Sequence, residues 1–147
     1  MRAIGIDLGS KRIGVALSDS AGTLALPYEV ILRSGRWDTD HAAIAAMVAE
    51  TEAEIVVVGM PFSLDGTEGK AAKKARLEIR KLDAALPVAV ETYDERLSTV
   101  TAHRSLDAMN LGAGGRRQVV DKVAAAVILQ AWLDHRAEQR PPDAVQD

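Results

Sequence analysis

Apolar residues alternate with polar or small ones at the start of the chain. Ile4, Ile6 and Leu8 share one face of a strand over residues 3–9, and Ile13, Val15 and Leu17 share one face of a second over 12–18. Gly9, Ser10 and Lys11 leave only a short turn between them, so the two strands are expected to form an antiparallel hairpin. Asp19, Ser20 and Gly22 mark the next turn. Residues 23–32 suit a third strand, in which Pro27 requires an interruption or an edge position. The period then changes. Residues 38–53 are alanine-rich with Ile44, Met47 and Val48 at helical spacing, and Asp38, Thr39 or Asp40 can cap this helix. Ile55, Val56, Val57 and Val58 run unbroken into Gly59, as expected of a strand covered on both faces. A loop rich in Pro, Ser, Asp and Gly follows over 60–66, and Thr67 is placed to cap a helix reaching about residue 85. After Pro87, residues 88–92 predict a fifth strand and 98–110 a helix stopped at Gly112. Residues 112–115 are expected to be the most flexible stretch, and 118–135 predict a strongly apolar helix. A disordered tail is expected from Arg136, through Pro141 and Pro142.

Three antiparallel strands, then helix, strand, helix, strand and two helices, predict an α/β fold. Its sheet is mixed and five-stranded, three strands antiparallel and then two parallel, with helices on both faces. A chain of 147 residues suits one domain, read as 1–135 with a tail at 136–147. With 48% hydrophobic and 27% charged residues, it belongs with folded rather than disordered chains. No apolar run approaches the roughly 20 residues of a membrane span. Asp7 interrupts the stretch a secretory signal would need, so a cytoplasmic protein with no membrane partner is expected. The absence of cysteine excludes disulfides, thiolate metal sites and a cysteine nucleophile. Aromatics at 3% argue against an extensive stacking platform for single-stranded nucleic acid.

Charge changes the picture through its distribution. The net value of −3 conceals a stretch from Trp37 to Gly69 with no Lys or Arg, followed by Lys70, Lys73, Lys74, Arg76, Arg80 and Lys81 against Glu78 alone. A basic face on an acidic protein suits a polyanion. The plain alternative is a solvated helix surface.

Three acids stand out. Asp7 sits mid-strand on the face opposite Ile4, Ile6 and Leu8, with Gly5 and Gly9 as same-face neighbours and the small Gly14, Ala16 and Ser18 facing it. A carboxylate inside a sheet is costly unless paired or metal-bound. The small residues around it are expected to leave a pocket over the sheet, with Asp7 at its floor. Glu95 follows the fifth strand, beside Asp94, where ligands sit in open α/β sheets. Asp121 precedes Ala124, Ala125, Ile128 and Trp132 at helical spacing and so shares their inward face. The ordinary alternatives are a loop-bonded Asp, a helix-start cluster and a capping acid, respectively. Converging carboxylates repel unless divalent cations lie between them, and all-oxygen donors suit Mg²⁺ or Mn²⁺. Two such ions can activate a water and stabilise the leaving oxygen in phosphodiester hydrolysis. His41, His103 and His135 stand singly, without zinc-type spacing, and are expected at the surface.

Ile6-Asp7-Leu8-Gly9-Ser10 with Gly14-Val15-Ala16 resembles the first motif of the YqgF/RuvX family. Gly59-Met60-Pro61 with Asp65-Gly66-Thr67, Asp94-Glu95-Arg96-Leu97-Ser98-Thr99, and Val120-Asp121-Lys122-Val123-Ala124-Ala125 resemble the other motifs, in family order. The resemblance covers about residues 3–135. It implies an RNase H-like fold, kinship with RuvC-type Holliday junction resolvases, and metal-dependent cleavage in 5′-end maturation of the pre-16S ribosomal RNA. By position, the family's catalytic and metal-holding acids fall on Asp7, Glu95 and Asp121. The substrate-contact candidates are then Lys11, Arg12, Thr67, Lys70, Lys73, Lys74, Arg96, Arg116, Arg117 and Lys122. Thr67 and the following helix start would hold a phosphate, and Arg96 would orient Glu95 or touch the scissile phosphate. Asp94 and Asp19 are open as helpers of the metal site. Relatives often carry a denser basic run where this chain has Gly112-Ala113-Gly114-Gly115-Arg116-Arg117, so grip there is expected to be weaker.

The implied partners are a ribosomal RNA precursor, with the ribosomal subunit that carries it, or branched DNA. Three other readings remain at this point. A junction resolvase would favour a dimer with two sites at fixed separation. A non-catalytic nucleic-acid module is disfavoured because all three acids are retained. The hairpin also resembles the phosphate-binding hairpin of sugar kinases and chaperone ATPases, which close two such domains over ATP, whereas this length holds one.

Overall fold

The computed structural model describes residues 1–100 and 114–139. Strands β1 (Ala3–Leu8), β2 (Arg12–Ser18), β3 (Ala25–Leu32), β4 (Ile55–Met60) and β5 (Ala89–Asp94) form one sheet in the order β3-β2-β1-β4-β5. β1 pairs antiparallel with β2, placing Asp7 opposite Gly14, and β2 pairs antiparallel with β3. β1 pairs parallel with β4, and β4 with β5. This is the mixed sheet expected from the order of elements. Pro27 lies on the edge strand and next to a register shift between Val15 and Ala16, two settings that tolerate a missing N–H. β3 begins at Ala25, two residues later than expected, because Asp19 draws the chain into a turn first.

Helices α1 (Trp37–Thr51) and α2 (Lys70–Ala85) cover one face, burying Ile44, Val48, Ile79 and Leu82 against Ile4, Ile6, Ile13, Val15, Val56 and Val58. Helix α3 (Gly114–Glu138) covers the other with Ala124, Ala125, Ile128, Leu129 and Trp132. All six residues of β4 are buried, which explains its unbroken apolar run.

Neither α1 nor α2 has a side-chain cap. Arg36 and Gly69 occupy the N-cap positions, so Asp38, Thr39, Asp40 and Thr67 do not cap as expected. α3 continues through Arg136 to Glu138, three residues beyond the expected domain end. The helix expected over 98–110 lies almost wholly outside the described residues, as do His103 and the tail from 140.

The small residues around Asp7 serve packing rather than an open pocket. A Cβ on Gly14 would fall 2.1 Å from the backbone oxygen of Asp121, and one on Gly5 would fall 2.7 Å from Leu129 Cβ. The space expected for a ligand over the sheet is therefore filled by the backbone of α3. The ligand-sized space lies instead at the strand ends.

Candidate active site

Asp7 stands one residue before the end of β1 and is 5% exposed. The turn after it is held from β3. The Arg33 backbone N–H donates to the Lys11 carbonyl at 3.0 Å, and Arg33 Nε donates to the Gly9 carbonyl at 2.9 Å. The two terminal nitrogens of Arg33 donate to both carboxylate oxygens of Glu78 on α2, at 2.6 and 2.9 Å. His41 Nε2 donates to Glu78 Oε2 at 2.9 Å, inside the protein. A bidentate, charge-assisted pair fixes direction as well as distance, so α2 anchors the turn that follows Asp7. Asp40 Oδ1 accepts from the Ser34 N–H, while its buried Oδ2 accepts no hydrogen bond and faces Arg33 Nη1 at 3.9 Å.

His41 is thus buried, against expectation, because Glu78 supplies its partner. Arg33, Asp40, His41 and Glu78 were not among the site candidates. A signal existed. Glu78, the lone acid of the basic run, sits at helical spacing from Ala75 and Leu82, and His41 precedes Ile44 and Val48 at three and seven residues.

Asp121 lies on α3, and Arg12 Nε donates to its Oδ2 at 2.7 Å. Asp7 and Asp121 line one cleft of ≈ 620 Å³, together with Lys11, Arg12, Trp37 and Lys74. The wall beneath is made by Arg33, Asp40 and Glu78. The first strand and last helix of the described chain therefore bring two acids to one opening. Glu95 opens the 3-10 turn (Glu95–Leu97) after β5 and is 4% exposed. A Cβ on Gly59 would meet Glu95 Cγ at 3.0 Å and Oε1 at 3.2 Å, so the absence of a side chain at 59 makes room for this carboxylate. Glu95 is not among the residues that line the cleft.

The carboxylate oxygens of Asp7 and Asp121 suit a hard cation such as Mg²⁺ or Mn²⁺ by donor chemistry. Among the described residues no three or more acids or histidines are grouped as ligands of one ion. Arg12 holds Asp121, and Glu95 is turned in against Gly59.

The other candidates divide. Lys74 lines the cleft, whereas Lys70 and Lys73 are exposed on α2 outside its lining, and Lys122 is half-buried beside Asp121. Thr67 Oγ1 donates to Asp65 Oδ1 at 2.7 Å, closing the loop onto itself. Bonds from the Thr67 backbone and hydroxyl hold the Asp65 carboxyl below its ordinary range. Arg96 Nη2 donates to Asp94 Oδ2 at 2.6 Å, and the guanidinium lies 5.7 Å from the centre of the Phe62 ring. The bond from Arg96 holds the Asp94 carboxyl down. Asp19 occupies the far end of β2. Its backbone and side-chain bonds from Thr23 lower its pKa to about 2, so it stands away from the cleft. Arg116 and Arg117 fall at the start of α3, where side chains lie outside the described residues.

This geometry can be set beside known proteins. The family model RuvX, described as "Holliday junction resolvase", matches residues 1–135. The chain is 45% identical over 143 residues to a Myxococcus xanthus protein, covering 97% of this chain and 92% of that one. It is 46% identical to a protein of Anaeromyxobacter dehalogenans, covering 93% and 99%. Both carry the name "Putative pre-16S rRNA nuclease". Among solved structures, Thermus thermophilus RuvC in complex with a Holliday junction substrate has a similar fold, with a TM-score of 0.59 at 18% identity, covering 93% of this chain and 96% of that one. The fowlpox virus Holliday junction resolvase does so with a TM-score of 0.51 at 12% identity, covering 92% and 99%. The sheet order matches this RuvC-like, RNase H-type architecture. With the family model matched over 1–135 and these relatives covered almost end to end, the chain belongs to the RuvX family.

Proposed function

We propose that the chain is a nuclease that hydrolyses phosphodiester bonds in the 5′-end processing of pre-16S ribosomal RNA. The observation that carries this reading is the convergence of Asp7 and Asp121 on one cleft whose rim is cationic at Lys11, Arg12 and Lys74. The names of its relatives supply the substrate. Precursor RNA bound to the small ribosomal subunit is the proposed partner, and the cytoplasm the proposed place of work. Among the described residues no helix is long and apolar enough to cross a membrane.

The residues act as follows. Lys11 and Lys74 neutralise backbone phosphates entering the cleft. Arg12 holds Asp121 in the cleft and carries a guanidinium that fits a phosphate bidentately. Arg33, anchored on Glu78, fixes the turn after Asp7 and so the position of its carboxylate. Asp7 and Asp121 would hold the divalent ions, Mg²⁺ or Mn²⁺ in a two-ion arrangement, with Glu95 as the third acid of the site. When bound, these ions supply the charge that neutralises the phosphodiester and lowers the pKa of water.

The test is cleavage of a labelled pre-16S 5′ fragment and of a four-way DNA junction, with Mg²⁺, Mn²⁺ or EDTA, by wild type and Asp7→Asn. Metal-dependent RNA cutting lost in Asp7→Asn is the expected result. Full activity in a well-folded Asp7→Asn would remove Asp7 from the site. Cutting confined to the DNA junction would favour the second reading, which rests on the family description "Holliday junction resolvase".

A further inference from the structure

Trp37 is a large aromatic side chain that stands outside the apolar core. It begins α1, is half-buried, and belongs to neither buried apolar cluster nor to the partly buried residues packed on them. It lines the cleft that holds Asp7 and Asp121. Its ring is stacked over His41 at 19° between planes, with centroids 6.3 Å apart. His41 is in turn held by Glu78, and Glu78 by Arg33, so the indole rests on a fixed network. Gly35 has a φ of +90°, and a Cβ added there would meet nothing within 4 Å. Gly35 lines the same cleft as the ring, so the cleft is open at that position. Lys11 and Lys74 supply positive charge on the same cleft.

A half-exposed aromatic in an open cleft that also carries lysines is the arrangement that receives an unpaired base. We propose that Trp37 is a stacking platform for one unpaired nucleobase next to the scissile phosphate, so the cleft takes single-stranded segments in preference to paired ones. A base within a duplex is already stacked on both faces and cannot reach the indole without being extruded. The proposal rests on the cleft being the nucleic-acid site, and its test reads binding without turnover, so the two can fail separately.

The test measures binding of a labelled single-stranded RNA of about ten nucleotides, and of the same RNA fully paired, in EDTA. Trp37→Ala is expected to weaken single-strand binding roughly 5- to 150-fold and leave duplex binding unchanged, with Trp37→Phe retaining most of the affinity. The chain has two tryptophans, and Trp132 is buried. Wild-type emission is therefore expected to be quenched by the single strand but not the duplex, and Trp37→Phe is expected to lose the quench. Undiminished single-strand affinity in a folded Trp37→Ala would overturn the proposal. So would an equal loss for single strand and duplex, which would make the indole a prop for α1. If Trp37→Ala does not fold, the wild-type and Trp37→Phe emission decides: no quench overturns it.

Discussion

Gly14→Ala tests the contact that sets Asp121 against Asp7. Gly14 is paired with Asp7 across the β1–β2 ladder, and the backbone of α3 rests on it. An added Cβ would lie 2.1 Å from the Asp121 oxygen and 2.7 Å from its carbonyl carbon, where real Cβ contacts essentially never fall below 3.0 Å. No rotamer change relieves this clash, because both partners are backbone. Either the sheet or the helix must move, and the helix carries Asp121. Overpacking of a well-filled interior typically costs about 1–3 kcal/mol, and a clash confined to backbone belongs at the upper end, about 3 kcal/mol. The assay is urea denaturation followed by circular dichroism, with stability read as a shift in midpoint at constant slope. Gly35→Ala is the control. Its Cβ meets nothing, so only the positive φ opposes it, at about 1–2 kcal/mol. A Gly14→Ala protein within about 0.5 kcal/mol of wild type would refute the close seating of α3 on β2. A stable Gly14→Ala protein with full nuclease activity would refute the claim that this seating places Asp121.

Three further outcomes are expected. Glu78→Ala strips the partly buried Arg33 and the buried His41 of their shared partner and should cost about 3 kcal/mol in urea denaturation; a loss under about 1 kcal/mol would show that this network does not anchor the turn. Asp19 has a lower pKa folded than unfolded, so its contribution to stability is complete above its ordinary 3.8 and is lost as pH falls through about 2. Asp19→Asn should therefore lower Tm at pH 7 and converge on wild type near pH 2, and an equal deficit at both would contradict the assignment. Arg96→Ala removes the Asp94 pair and the contact with Phe62 at a partly exposed site, so stability should fall by no more than about 1 kcal/mol. Hydrogen exchange in residues 61–69 should nevertheless rise, and unchanged protection there would mean that the loop closes through Asp65 and Thr67 alone.

The period of two in the first strands, the unbroken run of β4 and the period near 3.6 of the helices were sufficient to identify the elements of a mixed sheet, while its strand order came from the pairing of β1 with β4. Each of these patterns depends on burial of neighbouring residues in one element. Asp7 was visible as a carboxylate inside a sheet, Asp121 as an acid on the apolar face of a helix, and Glu95 by its place after a parallel strand. What the sequence could not supply was partnership between distant elements. Helix ends were misread because Asp38, Thr39 and Thr67 are plausible caps by type, while the chain enters α1 and α2 through uncapped turns. Gly5 and Gly14 read as room for a ligand, yet a glycine opposite a carboxylate looks the same whether a substrate or a helix backbone fills the space. Arg33 and Glu78 are ordinary surface residues by type, 45 positions apart. Only the packing of α2 beside the end of β3 buries their charges together, and an ion pair across elements leaves no periodic trace. The acids were thus legible from sequence alone. Which of them share a cleft, which is held by Arg12, and where the opening lies were decided by tertiary structure, because close packing of backbones fixes positions that residue type does not encode.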